Sequence, residues 1–554
     1  MKTRNKLIIS CMTLIFSVTS CNLDINVDPN SPATVPSGQL LSSAEVAIFT
    51  SFGHNGSGLG QPASIWVHQV MIRSNADGYA STGTDANINN PWLNLYAGAL
   101  EDLETIINQA KKNGEFGYSG IAKILKAYTF HMMVDAWGDI PYSEALRGTE
   151  NPFPKFDDDA TIYPSLFVLL DEGIADLATP SGTTSASPGS DDLIYGGDLV
   201  KWRRFAKAIK LKMYNTIKGV ENVANEINAL IGDSDIKNFG PANDFELNYF
   251  NVAAPENRNP AWVSVSGVTT YFSRYFYEIM NGKSTLNPIM GTIVDPRLPY
   301  YLYNSLGTTN QTGNNNPIEY RDTPYPLAPP PQNGAYFVSI NFSSQSPAQG
   351  FDQSRTLSMP GVYFCGGRLD LDNAGGAILI SSAPGNAPQR LFNSFSLNYI
   401  LAEIHLTKGS NSEARTAFST AIDQSFAKVN SVKQRVYPTA PDITSAASNA
   451  YRTAVLAIWD GFSSSSNTQK LLELIMTQKW IANFGNSLDS YSDYRRTGYP
   501  IMFDPNNDGD PNTNLGRNYP FSFPYRQLDL QQNKNAPAQK LIGDNSARVF
   551  WDNN

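Results

Sequence analysis

The chain has 554 residues, of which 41% are hydrophobic and only 16% are charged, so it is long enough to bury a large core. Its formal net charge of −9 argues against electrostatic binding to nucleic acid or to an anionic membrane surface. Aromatic residues make up 11%, and an aromatic, Asn-rich and weakly charged surface suits neutral polar ligands such as sugars. An ordinary extracytoplasmic surface explains the same composition equally well.

Recognisable catalytic motifs are absent from the sequence. The chain has four histidines, and none stands in an H-E-x-x-H or Cys/His arrangement. There is also no G-x-S-x-G elbow and no phosphate-binding loop. An enzyme is therefore disfavoured, although a hydrolase with paired carboxylates stays an alternative because such pairs leave no mark in sequence.

The first twenty residues have the pattern of a signal peptide, predicted over 1–20. Lys2, Arg4 and Lys6 precede an apolar run, 7–18, that is too short to span a bilayer as a mature helix. Ser20 then precedes Cys21, which resembles the lipobox of bacterial lipoproteins and predicts lipidation at Cys21. Only one further cysteine would remain in the mature chain, which excludes an intramolecular disulfide.

The next segments predict a tether and then a helical body. Residues 21–39 are polar and proline-containing, as in a lipidated tether, and residues 40–230 are predicted to form N-terminal helical repeats. Trp137-Gly138-Asp139-Ile140-Pro141 ends one of these helices, because Gly138 permits a left-handed backbone and Pro141 cannot continue a helix. We expect Trp137 to be buried. The predicted helices of this region are 40–52, 65–72, 96–110, 121–136, 161–177 and 199–217.

Helical periodicity fails between 231 and 394, where Asn, Gly, Pro and Tyr are frequent and only 271–280 predicts a helix. We interpret this region as an irregular, loop-rich excursion. Helices return in 395–554, where Ser410 and Glu413 have the spacing of a capping box. Short helix pairs, including 446–462 with 471–484, are typical of tetratricopeptide-type repeats. The predicted fold class is therefore mainly α, with a helical-repeat body, long loops and little β.

Two stretches combine the residue types that bind sugars, whose ring faces stack on aromatic side chains while their hydroxyls need amide, carboxylate or guanidinium partners. One is a predicted loop near residue 80, and the other is the irregular middle. For any single aromatic, packing in the core is the more frequent role. The candidate ligand-binding residues are Arg73, Asn75, Asp77, Tyr79, Asn90, Trp92, Trp262, Tyr271 and Tyr320.

A calcium loop is a further hypothesis. Its candidate ligands match the opening of the D-x-N-x-D-G pattern, and they are Asp504, Asn506, Asp508 and Asp510. Leu515 stands where such a loop supplies a bidentate Glu, so a surface turn rich in Asp, Asn and Gly is the competing interpretation. No cofactor is expected to be required.

Several motifs, taken in this order, resemble those of the SusD/RagB family of outer-membrane nutrient-binding lipoproteins. They are Asp28-Pro29-Asn30-Ser31-Pro32, the helix and turn 128–146, Asp295-Pro296-Arg297-Leu298, the helix 397–409, and Gln478-Lys479-Trp480 with Tyr494-Arg495-Arg496-Thr497-Gly498-Tyr499-Pro500. The resemblance covers nearly all of the mature chain. One departure is Asp489, in a segment where the family often has Glu.

The resemblance implies a body of four tetratricopeptide-like units on the outer face of the outer membrane, held there by a lipid anchor. It also implies that the protein binds glycans without hydrolysing them, as the lid of a SusC-like TonB-dependent transporter. The family's signature residues are structural, so they do not identify the ligand. Two alternatives stay open: a peptide-binding subunit of the same kind of importer, and a non-catalytic helical-repeat adaptor.

Overall fold

The computed structural model describes residues 35–72, 79, 81–182, 185–266, 270–304, 320–322, 337–339, 357–369, 383–502 and 519–554. Helices dominate these residues, which confirms the predicted fold class. None of the described helices is both long enough and apolar enough to cross a bilayer.

The N-terminal half contains nine α-helices within the described residues. They are α1 (Ser37–Phe52), α2 (Gly60–Trp66), α3 (Ala86–Leu93), α4 (Glu101–Asn113), α5 (Phe116–Trp137), α6 (Asp159–Ala178), α7 (Leu199–Ile217), α8 (Ala224–Gly232) and α9 (Ser234–Lys237). A π-helical turn, Asn94–Leu100, joins α3 to α4. Asp158 begins α6 by accepting a hydrogen bond from the backbone N–H of Ala160, at 3.1 Å.

The middle region contains short elements among its described residues. Its described helices are α10 (Pro260–Ser266), α11 (Arg274–Met280), α12 (Leu298–Tyr301) and α13 (Val362–Cys365). The strands are β1 (Val70–Ile72), β2 (Phe245–Leu247), β3 (Thr270–Phe272), β4 (Leu302–Tyr303), β5 (Tyr320–Asp322), β6 (Phe337–Ser339), β7 (Met359–Pro360) and β8 (Gln389–Phe392). They form four antiparallel pairs: β1 with β3, β2 with β8, β4 with β7, and β5 with β6.

The C-terminal half returns to longer helices. They are α14 (Ser394–Thr407), α15 (Asn411–Val436), α16 (Ser445–Ser464), α17 (Thr468–Ala482), α18 (Ser487–Thr497) and the short α19 (Gln527–Gln532). Successive helices pack as pairs, namely α4 with α5, α6 with α7, α14 with α15, and α16 with α17. These four pairs form the tetratricopeptide-like body, and α7 packs against α14 to join its two halves.

The turn after α5 is fixed from three sides. Gly138 has φ 73°, a backbone conformation that a side chain would disfavour. Trp137 is fully buried, as expected, and its indole N–H donates to the carbonyl oxygen of Pro524 at 3.0 Å. Asp157 accepts hydrogen bonds from the backbone N–H groups of Tyr142 and Ser143, at 3.1 and 2.7 Å. These bonds hold the pKa of Asp157 below its usual range against the opposing effect of burial.

The signature segments carry ion pairs of two kinds: Arg297 pairs with Asp295 within its own segment and also donates to Oγ of Ser425 on α15 at 2.8 Å, whereas Arg496 pairs with a residue distant in sequence. Arg297 is fully buried, and its Nη2 lies 2.6 Å from Oδ2 of Asp295. Arg496 pairs in the same way with Glu403 of α14, with Nη2 2.8 Å from Oε2, and Lys218 reaches Glu403 at 2.8 Å. Burial of such charges is tolerated because each is paired. These segments therefore hold the helix pairs together.

Asp489, the departure from the family pattern, is buried and forms an ion pair with Lys212 of α7. Burial alone would raise the pKa of Asp489, but the Lys212 ammonium reverses this and holds the pKa below its usual value. The aspartate thus provides a charged partner for Lys212 at this position.

Three local predictions were wrong. The predicted helix 65–72 is the end of α2 followed by β1, and the predicted helix 271–280 is split into β3 and α11, because pairing between β1 and β3 overrides the local pattern. The predicted capping box at Ser410 and Glu413 does not form, since the Ser410 side chain makes no cap hydrogen bond.

Candidate ligand-binding cleft

The structure places three predicted ligand-binding aromatics in the core. Trp262 and Tyr271 are fully buried and Tyr79 is 3% exposed, so their ring faces are covered by protein rather than open to a sugar. The hydroxyl of Tyr79 lies 2.9 Å from Nε2 of the buried His68. These three side chains therefore occupy core positions in this structure, as the competing interpretation holds.

Other predicted site residues lie outside the described residues. This holds for the lipidation site Cys21, for the loop residues Arg73, Asn75 and Asp77, and for the calcium-loop residues Asp504, Asn506, Asp508 and Asp510. Tyr320 belongs to β5, but its side chain is outside the description.

Trp92 lies at the floor of an open cleft of about 510 Å³, which we call the Trp92 cleft. The cleft lies between α3, the turn that follows α5, the loop 146–156 and α19. Trp92 itself is 3% exposed, because Trp137 and Phe156 lie against it with ring centroids 5.1 and 6.1 Å away. Trp92 therefore shapes the cleft more than it presents a surface to ligand.

The open aromatic surface of the cleft comes from a loop that was not among the predicted site residues. Phe153 is 39% exposed, and Phe156 and Tyr96 are half-buried beside it. The Tyr96 hydroxyl donates to the carbonyl oxygen of Pro141 at 2.7 Å, and burial raises its pKa well above the usual value, so it remains a neutral phenol. An aromatic between prolines, as in Pro152-Phe153-Pro154, is the sequence signal that could have identified this loop.

Amide side chains from the C-terminal segment hold the Phe153 loop in place. Asn533 donates to the carbonyl oxygen of Pro154 at 2.7 Å, and Asn535 donates to that of Phe153 at 2.6 Å. The loop is thereby fixed before a ligand arrives, which reduces the entropic cost of binding.

The polar rim of the cleft contains both fixed and free groups. Arg526 pairs with Asp529, with Nη1 2.9 Å from Oδ2. Gln532 lines the cleft with an exposed amide, and Arg147 is exposed and donates to the carbonyl oxygen of Ser143 at 3.0 Å. Fixed aromatic surface with amide and guanidinium groups around it is the chemistry that binds a neutral polar ring.

Asn90, on the same helix as Trp92, faces away from this cleft. Its side-chain amide donates to Oγ of Ser57 at 3.1 Å. The structure therefore does not bring Asn90 and Trp92 together, because two residues on a helix separated by two positions point to different sides.

One acidic group was also not predicted as a site. Carboxylate oxygens of Asp139, Asp158 and Asp159 lie within 4.8 Å of one another. Asp159 accepts a hydrogen bond from the backbone N–H of Phe550 at 2.9 Å, and burial raises its pKa to about 6. These contacts tie the C-terminal segment to the start of α6 and give the cluster a structural role.

Comparison with known proteins supports the fold and the family. The model of the SusD-like family, described as starch-binding and associating with the outer membrane, matches residues 29–524. A SusD/RagB family protein from Bacteroides thetaiotaomicron is 18% identical with a TM-score of 0.68, and the match covers 94% of this chain and 99% of that one.

Two further solved structures have the same fold. A chitin-binding SusD homologue from Flavobacterium johnsoniae is 18% identical with a TM-score of 0.61, over 93% of this chain and 99% of that one. A SusD homologue from Bacteroides fragilis is 20% identical with a TM-score of 0.65, over 94% and 99%. No curated protein sequence matches the chain. Since the family model spans most of the sequence, the chain belongs to the SusD-like family.

Proposed function

We propose that this protein is a glycan-binding lipoprotein of the outer-membrane surface that acts as the lid of a SusC-like TonB-dependent transporter. The observation that supports it most is the family match over residues 29–524 together with the solved fold of its relatives. The lipid would be attached at Cys21, and the energy for uptake would come from the partner transporter.

The Trp92 cleft is the glycan-binding site of this proposal. Phe153 supplies an exposed ring on a loop whose backbone accepts two hydrogen bonds, and Gln532 and Arg147 supply donors and an acceptor that line the same cleft. The cleft is open, so an internal segment of a long glycan can bind in it without prior cleavage of the glycan. The protein acts by binding alone in this proposal, and any calcium bound by the 504–510 loop would have a structural role.

The test is calorimetric titration of the Cys21→Ser protein with soluble starch, chitin oligomers and a panel of other polysaccharides. Phe153→Ala should weaken binding about tenfold, because it removes the stacking surface. The matched control is Val168→Ala on α6, where the side chain is 59% exposed and does not line the Trp92 cleft. Equal affinity of Phe153→Ala and wild type would reject the Trp92 cleft as the site.

A peptide ligand is the second candidate, since the sequence analysis left it open. The same titration distinguishes a peptide ligand from a glycan. Binding of an oligopeptide pool with no response to any polysaccharide would replace the glycan in the proposal and leave the importer role intact. Trp92→Ala is not a suitable probe, since truncating a buried Trp costs about 3–5 kcal/mol of stability.

A further inference from the structure

A larger cleft lies along α1 and takes no part in the function proposed above. We call it the Phe250 cleft. Its volume is about 980 Å³, and it lies between α1, the loop 190–196, the segment 247–258 and α10. Phe250 is 53% exposed in it, which is more than Phe153 in the Trp92 cleft.

The backbone holds Phe250 in its exposed position. Its N–H donates to the carbonyl oxygen of Asn257 at 2.8 Å, and the N–H of Asn257 donates to that of Val252 at 2.9 Å, which closes a tight hairpin. Arg258 stabilises the second arm of this hairpin by an ion pair with Glu256, whose Oε1 lies 2.8 Å from Nε of Arg258. An apolar ring on a rigid support loses little entropy when a ligand stacks on it.

Arg435 supports the ring from a third element. Its Nε donates to the carbonyl oxygen of Asn386 at 2.9 Å, and its guanidinium carbon lies 5.6 Å from the centroid of the Phe250 ring. The ring is therefore positioned by a hairpin and by a cation from α15 while half of its surface stays open to solvent.

Free amides flank the exposed ring. Asn248 and Asn257 are exposed and line the cleft, and their side chains make no hydrogen bond within the described part of the chain. An amide side chain offers one acceptor and two donors, which matches the mixed hydrogen bonding of neighbouring sugar hydroxyls.

A shallow strip joins the two clefts. It shares Leu93 and Ala97 with the Trp92 cleft, and Val46 and Thr50 with the Phe250 cleft. The strip is lined by Ser42, Ser43, Val46, Ala47, Thr50, Leu93, Asn94, Ala97 and Gly98, and none of these residues is charged. A neutral chain can therefore pass from one cleft to the other without losing the hydration of an ionised group.

We propose that the Phe250 cleft is a second carbohydrate-binding site, and that one extended glycan chain occupies it and the Trp92 cleft together across the α1 strip. This inference rests on the proposed function and adds to it the class of ligand: a polymer rather than a short oligosaccharide. Two linked sites raise the affinity for a chain long enough to reach both, because binding at the second site is then intramolecular.

The experiment titrates the Cys21→Ser protein with a length ladder made from a polysaccharide that binds it in the panel above. Affinity of the wild type should rise by about 10²-fold or more once the oligomer reaches both clefts. Phe250→Ala should abolish this rise and leave the affinity for the shortest binding oligomer unchanged. Phe153→Ala should also weaken binding of the shortest oligomer. Val168→Ala should change neither the affinity for the shortest oligomer nor the rise in affinity with length.

The possible results separate the two proposals. If Phe250→Ala and the double variant Asn248→Ala/Asn257→Ala both keep the full rise with length, the second site is rejected while glycan binding stands. If the wild type binds no polysaccharide of the panel, the proposed function fails and the second site with it. Unchanged thermal unfolding of both variants checks that the fold is intact.

Discussion

Similar residue types have different roles in the signature segments and in the two clefts. Arg297 is fully buried and pairs with Asp295, and Arg496, whose side chain is 9% exposed, pairs with Glu403 of another helix, so both charges stabilise the scaffold. On the cleft face, Arg147 and the amides near Phe250 are exposed. The difference teaches that the motifs that identify the family describe its scaffold, whereas the ligand recognition that we propose depends on residues outside them.

The largest expected effect comes from breaking a buried pair. Arg496→Ala should lower the free energy of unfolding by about 3–5 kcal/mol, because it leaves the buried Glu403 with incomplete compensation. Arg415→Ala is the matched control, since its partner Asp460 and Arg415 itself are exposed, and it should cost less than about 1 kcal/mol. Urea denaturation measures both values. Similar losses in the two variants would contradict the contrast between core and surface.

A second, smaller effect concerns pH. His54 is buried, its Nδ1 lies 3.0 Å from Oγ of Ser64, and burial lowers its pKa from 6.5 to about 3. Below pH 6.5 His54 therefore binds a proton in the unfolded chain but stays neutral in the folded protein. The free energy of unfolding consequently falls as the pH decreases. Between about pH 7 and pH 5 this single group should cost about 2 kcal/mol.

His54→Gln should reduce the difference in unfolding free energy between pH 7 and pH 5 by about 2 kcal/mol. His405→Gln provides the control, because His405 is only half-buried and should contribute less to the slope. An unchanged pH dependence in His54→Gln would show that the histidine is protonated in the folded state.

The smallest expected effect lies on the cleft face. Phe153→Ala and Phe250→Ala should each change the free energy of unfolding by no more than about 0.5 kcal/mol, as is usual for exposed positions. Differential scanning calorimetry measures this directly. A loss of more than about 2 kcal/mol in either variant would mean that the ring supports the fold, and the comparison between scaffold and cleft would fail for that residue.

Much of the scaffold could be predicted from sequence because its signals are local. The 3.6-residue spacing of apolar residues gave α7 with the observed bounds, and Gly138 with Pro141 marked the end of α5. Prediction was weaker where pairing between distant segments decides the structure. β1 and β3 are 200 residues apart, and each replaces part of a predicted helix.

The candidate site shows the same limit. Sequence identified Trp92 as an aromatic near polar residues, and the residue does line a cleft, but it is only 3% exposed, with Phe156 stacked on it and Trp137 packed against it at a right angle. Phe153 and Phe250, which offer the open surface, were not among the predicted residues. Exposure of a ring is a property of what packs around it, and residue type alone carries no information about that.

The sequence by itself determined the helical-repeat class and the family resemblance, since both depend on periodicity and on short motifs. Only the tertiary structure decided what the charged motif residues do and where the open aromatic rings lie. Ion pairs such as Lys212 with Asp489, and supports such as Asn535 on the Phe153 loop, join residues hundreds of positions apart. Their effect arises from burial and distance, which exist only in the folded chain.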